Sequence, residues 1–373
     1  MEDEKLRDTR GVVIEAPGAP ARIEPIVVDP PGPAEVMVRI VANGICHSDV
    51  WAIEHGNWGS PFPMLLGHEA AGIVEEVGDG VDHVAPGDRV LLAWAVPCGA
   101  CSSCRRGRPR SCAHGWQQPA RLHTSDGRPL IGTLSIGGLA THTVVNAAQV
   151  IPIPLGLDLE AACLLGCGAS TGIGAAVNTG PVRPGDTVAV IGLGGIGLSA
   201  LQGARLAGAE RLIAIDRVAA KLDIARALGA TDVVAAAVDD PVAAVRSLTD
   251  GAGVDVAFEA TGIASVVSQA VAMLARGGTA VAIGVPAPDS TITLDWGEST
   301  VGAAYPRKVS LKITDGGDPV TEDFAAWLEA AADGRLDLAA LVTRVVPFTD
   351  DAIAESFRAM LAGEVIRTVI RFD

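Results

Sequence analysis

The richest chemistry in this chain lies in its seven cysteines and one glycine-rich loop. Cys98, Cys101, Cys104 and Cys112 follow a C-x2-C-x2-C-x7-C spacing in a stretch otherwise rich in Gly, Arg and Pro. A hydrophilic loop of that kind offers little apolar surface in which to bury thiols. Four thiolates delivered together instead fill the corners of a closed tetrahedral zinc site, which keeps no position for substrate. An iron–sulfur cluster takes the same four ligands, and spacing alone does not separate the two. Three more candidates stand apart: Cys46 in Gly44-Ile45-Cys46-His47-Ser48-Asp49, His68 in Gly67-His68-Glu69, and Cys167 in Gly166-Cys167-Gly168. Singly, each reads as a core thiol or a satisfied loop histidine. Together they supply two sulfurs and a nitrogen, the Cys2His set of a catalytic zinc with one position open.

The loop Gly192-Leu193-Gly194-Gly195-Ile196-Gly197 follows an apolar strand at 188–191 and opens a helix. In such a turn the first glycine permits the bend, the second lets the backbone approach a pyrophosphate, and the last allows close helix–strand packing. Asp216 closes the next apolar strand, where an acid bonds the adenosine ribose hydroxyls and repels a 2'-phosphate. The pattern therefore predicts NAD rather than NADP, although Arg217 follows directly and is the kind of residue that attracts a 2'-phosphate.

These residues need elements to hold them. From about 11 to 150 short β-rich segments, such as 36–41 and 141–145, are separated by Gly and Pro turns, which predicts an irregular antiparallel β domain. From 186 the rhythm changes. Apolar runs at 188–191, 212–215, 254–258 and 279–285 alternate with Ala-rich helical stretches at 196–207, 219–228 and 263–275. Such alternation specifies an α/β fold with a doubly wound parallel sheet. After about 311 a helix at 322–331, a strand near 342–346, a helix at 353–362 and a strand at 365–372 are expected to close the first domain.

The net charge of −16 opposes binding to nucleic acid or to an anionic membrane. Uncharged runs at 161–182 and 187–204 are interrupted by glycine, as buried strand–turn–helix units are, so no membrane span is expected. Residues 1–10 mix acidic and basic side chains without an apolar core, so no secretory signal is expected, and the protein is expected in the cytoplasm.

With the motifs G-I-C-H-S-D, G-H-E-A-A-G, the four-cysteine lobe, G-C-G-A-S-T-G and G-L-G-G-I-G in this order, the chain resembles the zinc-dependent medium-chain alcohol dehydrogenases along essentially its whole length. Leu165-Gly166-Cys167-Gly168 and Gly107-Arg108-Pro109-Arg110 look most like the class III and mycothiol-dependent formaldehyde dehydrogenase branch. The resemblance implies a GroES-like catalytic domain over 1–170 with its zinc lobe at about 97–113, a Rossmann domain over 171–311, and a return to the catalytic domain over 312–373. It implies two zincs per subunit, NAD, and a homodimer or homotetramer. The edge contact between subunits is expected within 279–294.

Residue by residue, Ser48 matches the hydroxyl that accepts the alcohol proton, Asp49 the carboxylate that orients the histidine ligand, and Glu69 the carboxylate behind the zinc. Thr171 is expected under the nicotinamide, Arg367 at the pyrophosphate, and Lys221 among the coenzyme contacts. His47 stands where the family often has a pyrophosphate-binding arginine. Where several members carry a relay histidine, this chain has Trp51, whose indole donates a proton but cannot accept one. His55, His47 or a water chain is left to carry the substrate proton. Trp51, Trp58 and Trp94 are expected in the substrate pocket, favouring a bulky or aromatic primary alcohol. Other readings are a thiol-adduct formaldehyde dehydrogenase using mycothiol or glutathione, 1,4-reduction of an enal, and a non-catalytic protein that binds NAD and zinc. Arg105, Arg106, Arg108 and Arg110 read as solvated lobe surface rather than a thiol site.

Overall fold

The structure is a computed structural model that describes residues 7–56, 61–112, 115, 119–287, 289–294, 308–314 and 316–372. The chain divides into two compact units, one of residues 1–167, 320–334 and 338–373, the other of residues 168–319 and 335–337. The first begins with strands β1 (Arg7–Ile14), β2 (Arg22–Val28) and β3 (Glu35–Gly44), then helix α1 (His47–His55). Strands β4 (Met64–Leu65), β5 (Glu69–Val77) and β6 (Arg89–Leu92) precede a short helix α2 (Ser102–Arg105) in the cysteine lobe. Strands β7 (Leu122–Thr124), β8 (Ile131–Gly132), β9 (His142–Asn146) and β10 (Val150–Pro152) follow, then α3 (Leu159–Ala162).

The second unit holds α4 (Gly168–Gly174), then β11 (Thr187–Ile191), α5 (Gly195–Leu206), β12 (Arg211–Asp216), α6 (Ala219–Ala227) and β13 (Asp232–Ala235). It continues through α7 (Pro241–Leu248), β14 (Val254–Glu259), α8 (Ala264–Met273), β15 (Leu274–Ala282) and β16 (Ser310–Ile313). The tail returns to the first unit as α9 (Thr321–Ala332), β17 (Val342–Pro347), α10 (Asp350–Leu361) and β18 (Arg367–Arg371).

In the first unit one sheet runs β7-β2-β1-β4-β8 and another β10-β6-β5-β3-β18-β17, with β9 also paired to β3. The long strand β3 buries seven of its ten residues, Val36, Val38 and Ile40 among them, because sheet and core cover most of both its faces. Pairing of β18 with β3 is antiparallel and short, joining Val369, Ile370 and Arg371 to Gly44, Asn43 and Ala42. The sheet of the second unit is parallel throughout, in the order β13-β12-β11-β14-β15-β16. Its central strands are mostly apolar, at 188–191 in β11 and 256–258 in β14, as strands covered by helices on both faces are. Helix α7 shows how locally the ends are set: Asp240 caps it by accepting the N–H of Ala243 at 2.9 Å, and Pro241 occupies the first turn, where no N–H is needed.

Two expectations shift. Residues 279–282 are not the sheet edge, because β15 lies between β14 and β16; among the described residues the last strand on that side is β16. For the same reason residues 312–319 belong to the parallel-sheet unit rather than to the returning tail. Among the described residues no single helix is long and apolar enough to cross a membrane.

Candidate active site

Cys46 is the residue immediately before α1, His68 immediately precedes β5, and Cys167 follows α3. Their ligand atoms, with a carboxylate oxygen of Glu69, lie within 4.8 Å of one another, and all four residues are buried. Convergence this tight needs a residue without a side chain: a Cβ on Gly166 would stand 2.9 Å from Glu69 Cα and 3.0 Å from the His68 carbonyl oxygen. The fully buried Asp49 then aligns two ligands at once. Its Oδ2 accepts the N–H of Cys46 at 3.1 Å, while its Oδ1 accepts the N–H of Gly67 at 3.1 Å and His68 Nδ1–H at 3.2 Å. With Nδ1 committed, His68 presents Nε2 to the cluster, a buried nitrogen with no hydrogen-bond partner.

The electrostatics are those of a site built around a cation. Cys46 is held well below the usual thiol value, chiefly by a hydrogen bond from Cys167 and also by His68 and Arg367. Its partner Cys167 is pushed well above, first by Cys46 and then by burial. Burial would lower His68, but the charge and hydrogen bond of Asp49 together with the Cys46 sulfur lift it well above its ordinary value. A divalent cation held here would relieve the repulsion between the two sulfurs. Behind this cluster, Arg367 Nη1 lies 3.3 Å from Glu69 Oε1 and donates to the Ile45 carbonyl at 3.3 Å.

In the lobe, the four sulfurs also lie within 4.8 Å of one another. Cys101 is 3.5 Å from Cys104 and 3.9 Å from Cys112, and Cys112 is 3.6 Å from Cys98. Tetrahedral zinc with ordinary Zn–S bonds sets its sulfurs about 3.8 Å apart. An iron–sulfur cluster interposes its own irons and sulfides and spreads its cysteines well beyond that. Desolvation and the neighbouring Cys101 and Cys112 sulfurs push Cys104 up to about 12.

In the second unit Gly192, at φ 88°, turns the chain out of β11, and Gly194 stands before the first turn of α5. Asp216, at the end of β12, accepts the N–H of Leu193 at 2.7 Å and that of Val218 at 2.9 Å. The acid thus fastens the loop itself, and each carboxylate oxygen keeps a lone pair for a further donor.

The alcohol dehydrogenase GroES-like domain family matches residues 32–155, and the zinc-binding dehydrogenase family matches residues 195–332. An S-(hydroxymethyl)glutathione dehydrogenase of Escherichia coli is 36% identical over 98% of this chain and 100% of its own length. This chain belongs to the zinc-dependent medium-chain alcohol dehydrogenases. Among solved structures, an alcohol dehydrogenase zinc-binding domain protein from Burkholderia ambifaria matches with TM-score 0.90 at 32% identity, over 99% of this chain and 100% of that one. The benzyl alcohol dehydrogenase of Acinetobacter calcoaceticus matches with TM-score 0.88 at 28% identity and the same coverage. The dehydrogenase is an enzyme that interconverts alcohols and aldehydes, with zinc and NAD as its cofactors.

Other expected residues of the dehydrogenase fall as follows. On α1, His47 is exposed and Ser48 half-buried, with Ser48 Oγ 3.7 Å from Cys46 Sγ. Trp51 stacks on His55, with ring centroids 4.2 Å apart. Trp94 packs half-buried against the core of the first unit, and its Nε1 is buried without a hydrogen-bond partner. Trp58 lies outside the described residues. Thr171 is buried on α4, Arg217 is exposed, and Lys221 is half-buried in α6. Arg105, Arg106 and Arg108 are exposed on the lobe, whereas Arg110 pairs with Asp323, Nη2 to Oδ1 at 3.1 Å. Sequence reasoning overlooked the exposed apolar side chains Val218, Ile263, Val285 and Ile313, each just past or at the carboxyl end of a parallel strand. The available signal was an apolar residue placed shortly after an acid or glycine that ends a strand. It also missed Glu259, an acid closing the apolar run 256–258.

Proposed function

We propose that the dehydrogenase oxidises a bulky or aromatic primary alcohol to its aldehyde, reversibly, with Cys46, His68 and Cys167 as ligands of the catalytic zinc. The assignment rests on His68: its Nδ1 is committed to Asp49, and its buried Nε2 is left with two sulfurs and no hydrogen-bond partner. Bound zinc supplies a Lewis acid for the substrate oxygen, and bound NAD accepts the hydride. Ser48 takes the alcohol proton. Trp51 cannot pass that proton on, so His47, exposed on the same turn of α1, is the group through which it leaves. Asp49 holds the His68 tautomer, and Glu69, balanced by Arg367, stands ready to assist ligand exchange. Cys98, Cys101, Cys104 and Cys112 hold the second, structural zinc. The loop formed by Gly192, Gly194, Gly195 and Gly197 receives the pyrophosphate and Asp216 the ribose, while Thr171, Lys221, Arg217 and the apolar Val218, Ile263 and Val285 line the coenzyme.

Aromatic residues at 51 and 94, and the likeness to a benzyl alcohol dehydrogenase, support an aromatic substrate. The relative named for S-(hydroxymethyl)glutathione favours a second reading, in which the alcohol is a thiol adduct of formaldehyde. Absorbance at 340 nm across aliphatic, allylic and benzylic alcohols, and formaldehyde with glutathione or mycothiol, separates them. Benzylic alcohols are expected to exceed ethanol in kcat/KM by about tenfold or more, the discrimination a few extra apolar contacts provide. Turnover confined to a thiol adduct would establish the second reading instead.

The acidic charge and the lack of a membrane-length helix among the described residues support a place in the cytoplasm. A homodimer or homotetramer is proposed, joined through the edge that β16 presents. A monomer in sedimentation at micromolar concentration would overturn it.

A further inference from the structure

The parallel sheet reverses its winding between β11 and β14, since β12 and β13 lie on one side of β11 and β14 to β16 on the other. Open α/β sheets bind ligands outside the carboxyl ends of the strands at such a point. There the last residue of β14 is an acid with no exposure, Glu259, in register with Ile191, the residue that leads into the glycine loop. Burial pushes its carboxyl above the usual carboxylate range. Leaving an acid in such a place costs free energy that an apolar residue would not.

What the acid does there is specific. Oε1 accepts the N–H of Thr261 at 2.6 Å, the N–H of Gly262 at 3.0 Å, and the Thr261 hydroxyl. Oε2 is buried and makes no hydrogen bond. One oxygen therefore gathers the donors of residues 261–262 into a tight turn. Backbone hydrogen bonds tie that turn to both flanking strands: Ala260 N–H to the Ile191 carbonyl at 2.9 Å, and Ile283 N–H to the Glu259 carbonyl at 2.8 Å. The turn in its place lies directly against the glycine loop, because a Cβ on Gly192 would stand 2.6 Å from Thr261 Cγ2. It ends in Ile263, 49% exposed.

We propose that Glu259 is a positioning residue for the coenzyme: by fixing the turn at 260–263 as the second wall of the glycine loop, it sets the affinity for NAD without touching it. The proposal rests on the reading of that loop as the NAD site. Fluorescence titration of the two-zinc enzyme with NADH tests it independently of any alcohol. Glu259→Ala is expected to weaken NADH binding about tenfold or more through lost preorganisation, with kcat at saturating NAD within about threefold of the parent. Glu259→Gln keeps an oxygen in the Oε1 position and is expected to stay within about threefold, and Thr261→Val, which removes one of three donors, to fall between them. A residue that served packing alone would lower the melting temperature without separating the NAD affinity of the alanine and glutamine variants.

Folded Glu259→Ala that binds NADH as tightly as the parent would overturn the proposal, as would Glu259→Gln as weak as Glu259→Ala. Should the alanine variant not fold, Thr261→Val decides, and an unchanged Kd for NADH refutes the idea. Failure of the parent itself to bind NADH would instead remove the coenzyme reading on which the proposal stands.

Discussion

Replacing His68 by alanine is expected to take one zinc from each subunit and to lower kcat/KM for alcohol oxidation on the order of 1,000-fold, equivalent to about 4 kcal/mol of lost transition-state stabilisation. His68 is fully buried, and nothing in the cluster takes its place as a nitrogen donor. The lobe cysteines lie on a separate loop, so their zinc is expected to remain. A graded companion is Asp49→Asn. The amide keeps one acceptor oxygen but faces the other N–H donors with an NH2 and gives up the charge that orients His68, so a loss of about 10- to 100-fold in zinc affinity or activity is expected. Metal content by mass spectrometry and initial rates at 340 nm check both. Two zincs retained in His68→Ala, with activity within tenfold of the parent, would show that the ligand set is wrong.

Gly194→Val and Gly197→Val should fail in different ways. A Cβ on Gly194 meets nothing within 4 Å, and at φ −77° and ψ −170° a valine fits without strain. On the proposed reading of the loop, the space beside it belongs to the pyrophosphate. Gly194→Val is therefore expected to fold with an unchanged melting temperature and to raise the KM for NAD about 100-fold or more, since a side chain there occupies the ligand's place. On Gly197 the same atom would stand 1.8 Å from the Gly192 carbonyl oxygen, so the turn itself cannot close. That variant should lose stability and coenzyme binding together. Thermal melts with and without NADH distinguish the two, and a Gly194→Val enzyme with normal NAD affinity would displace the coenzyme from this loop.

How much could be read in advance depended on distance along the chain. The lobe was legible because all four sulfurs come from one loop, and the coenzyme loop because strand, turn and helix follow without interruption. Cys46, His68 and Cys167 were legible only as a set, through motifs on three separate segments. What stayed hidden is pairing between remote segments. Nothing in residues 365–373 announces that Arg367 lies against Glu69, or that β18 enters the sheet beside β3. The identity of the edge strand depends likewise on β16 adding outside β15, which no local pattern encodes. Glu259 was missed because its partners, though adjacent, form a turn with no composition cue beyond a single glycine.

The placement of β18 also has a consequence for synthesis. Residues 42–44 of β3 lead directly to Cys46, and their partners on one side are residues 369–371, more than 320 positions later; the Ile45 N–H finds its acceptor only at Thr368. At the usual pace of translation, about 5–20 residues per second, that edge waits on the order of 15 to 65 s after it leaves the ribosome. Throughout that interval the whole parallel-sheet unit is made and free to fold, while the strand next to the metal ligands has an open row of N–H and C=O groups. The metal-binding unit is begun before the parallel-sheet unit and completed after it, so the nascent chain is most exposed to mispairing in the segment that its chemistry needs most.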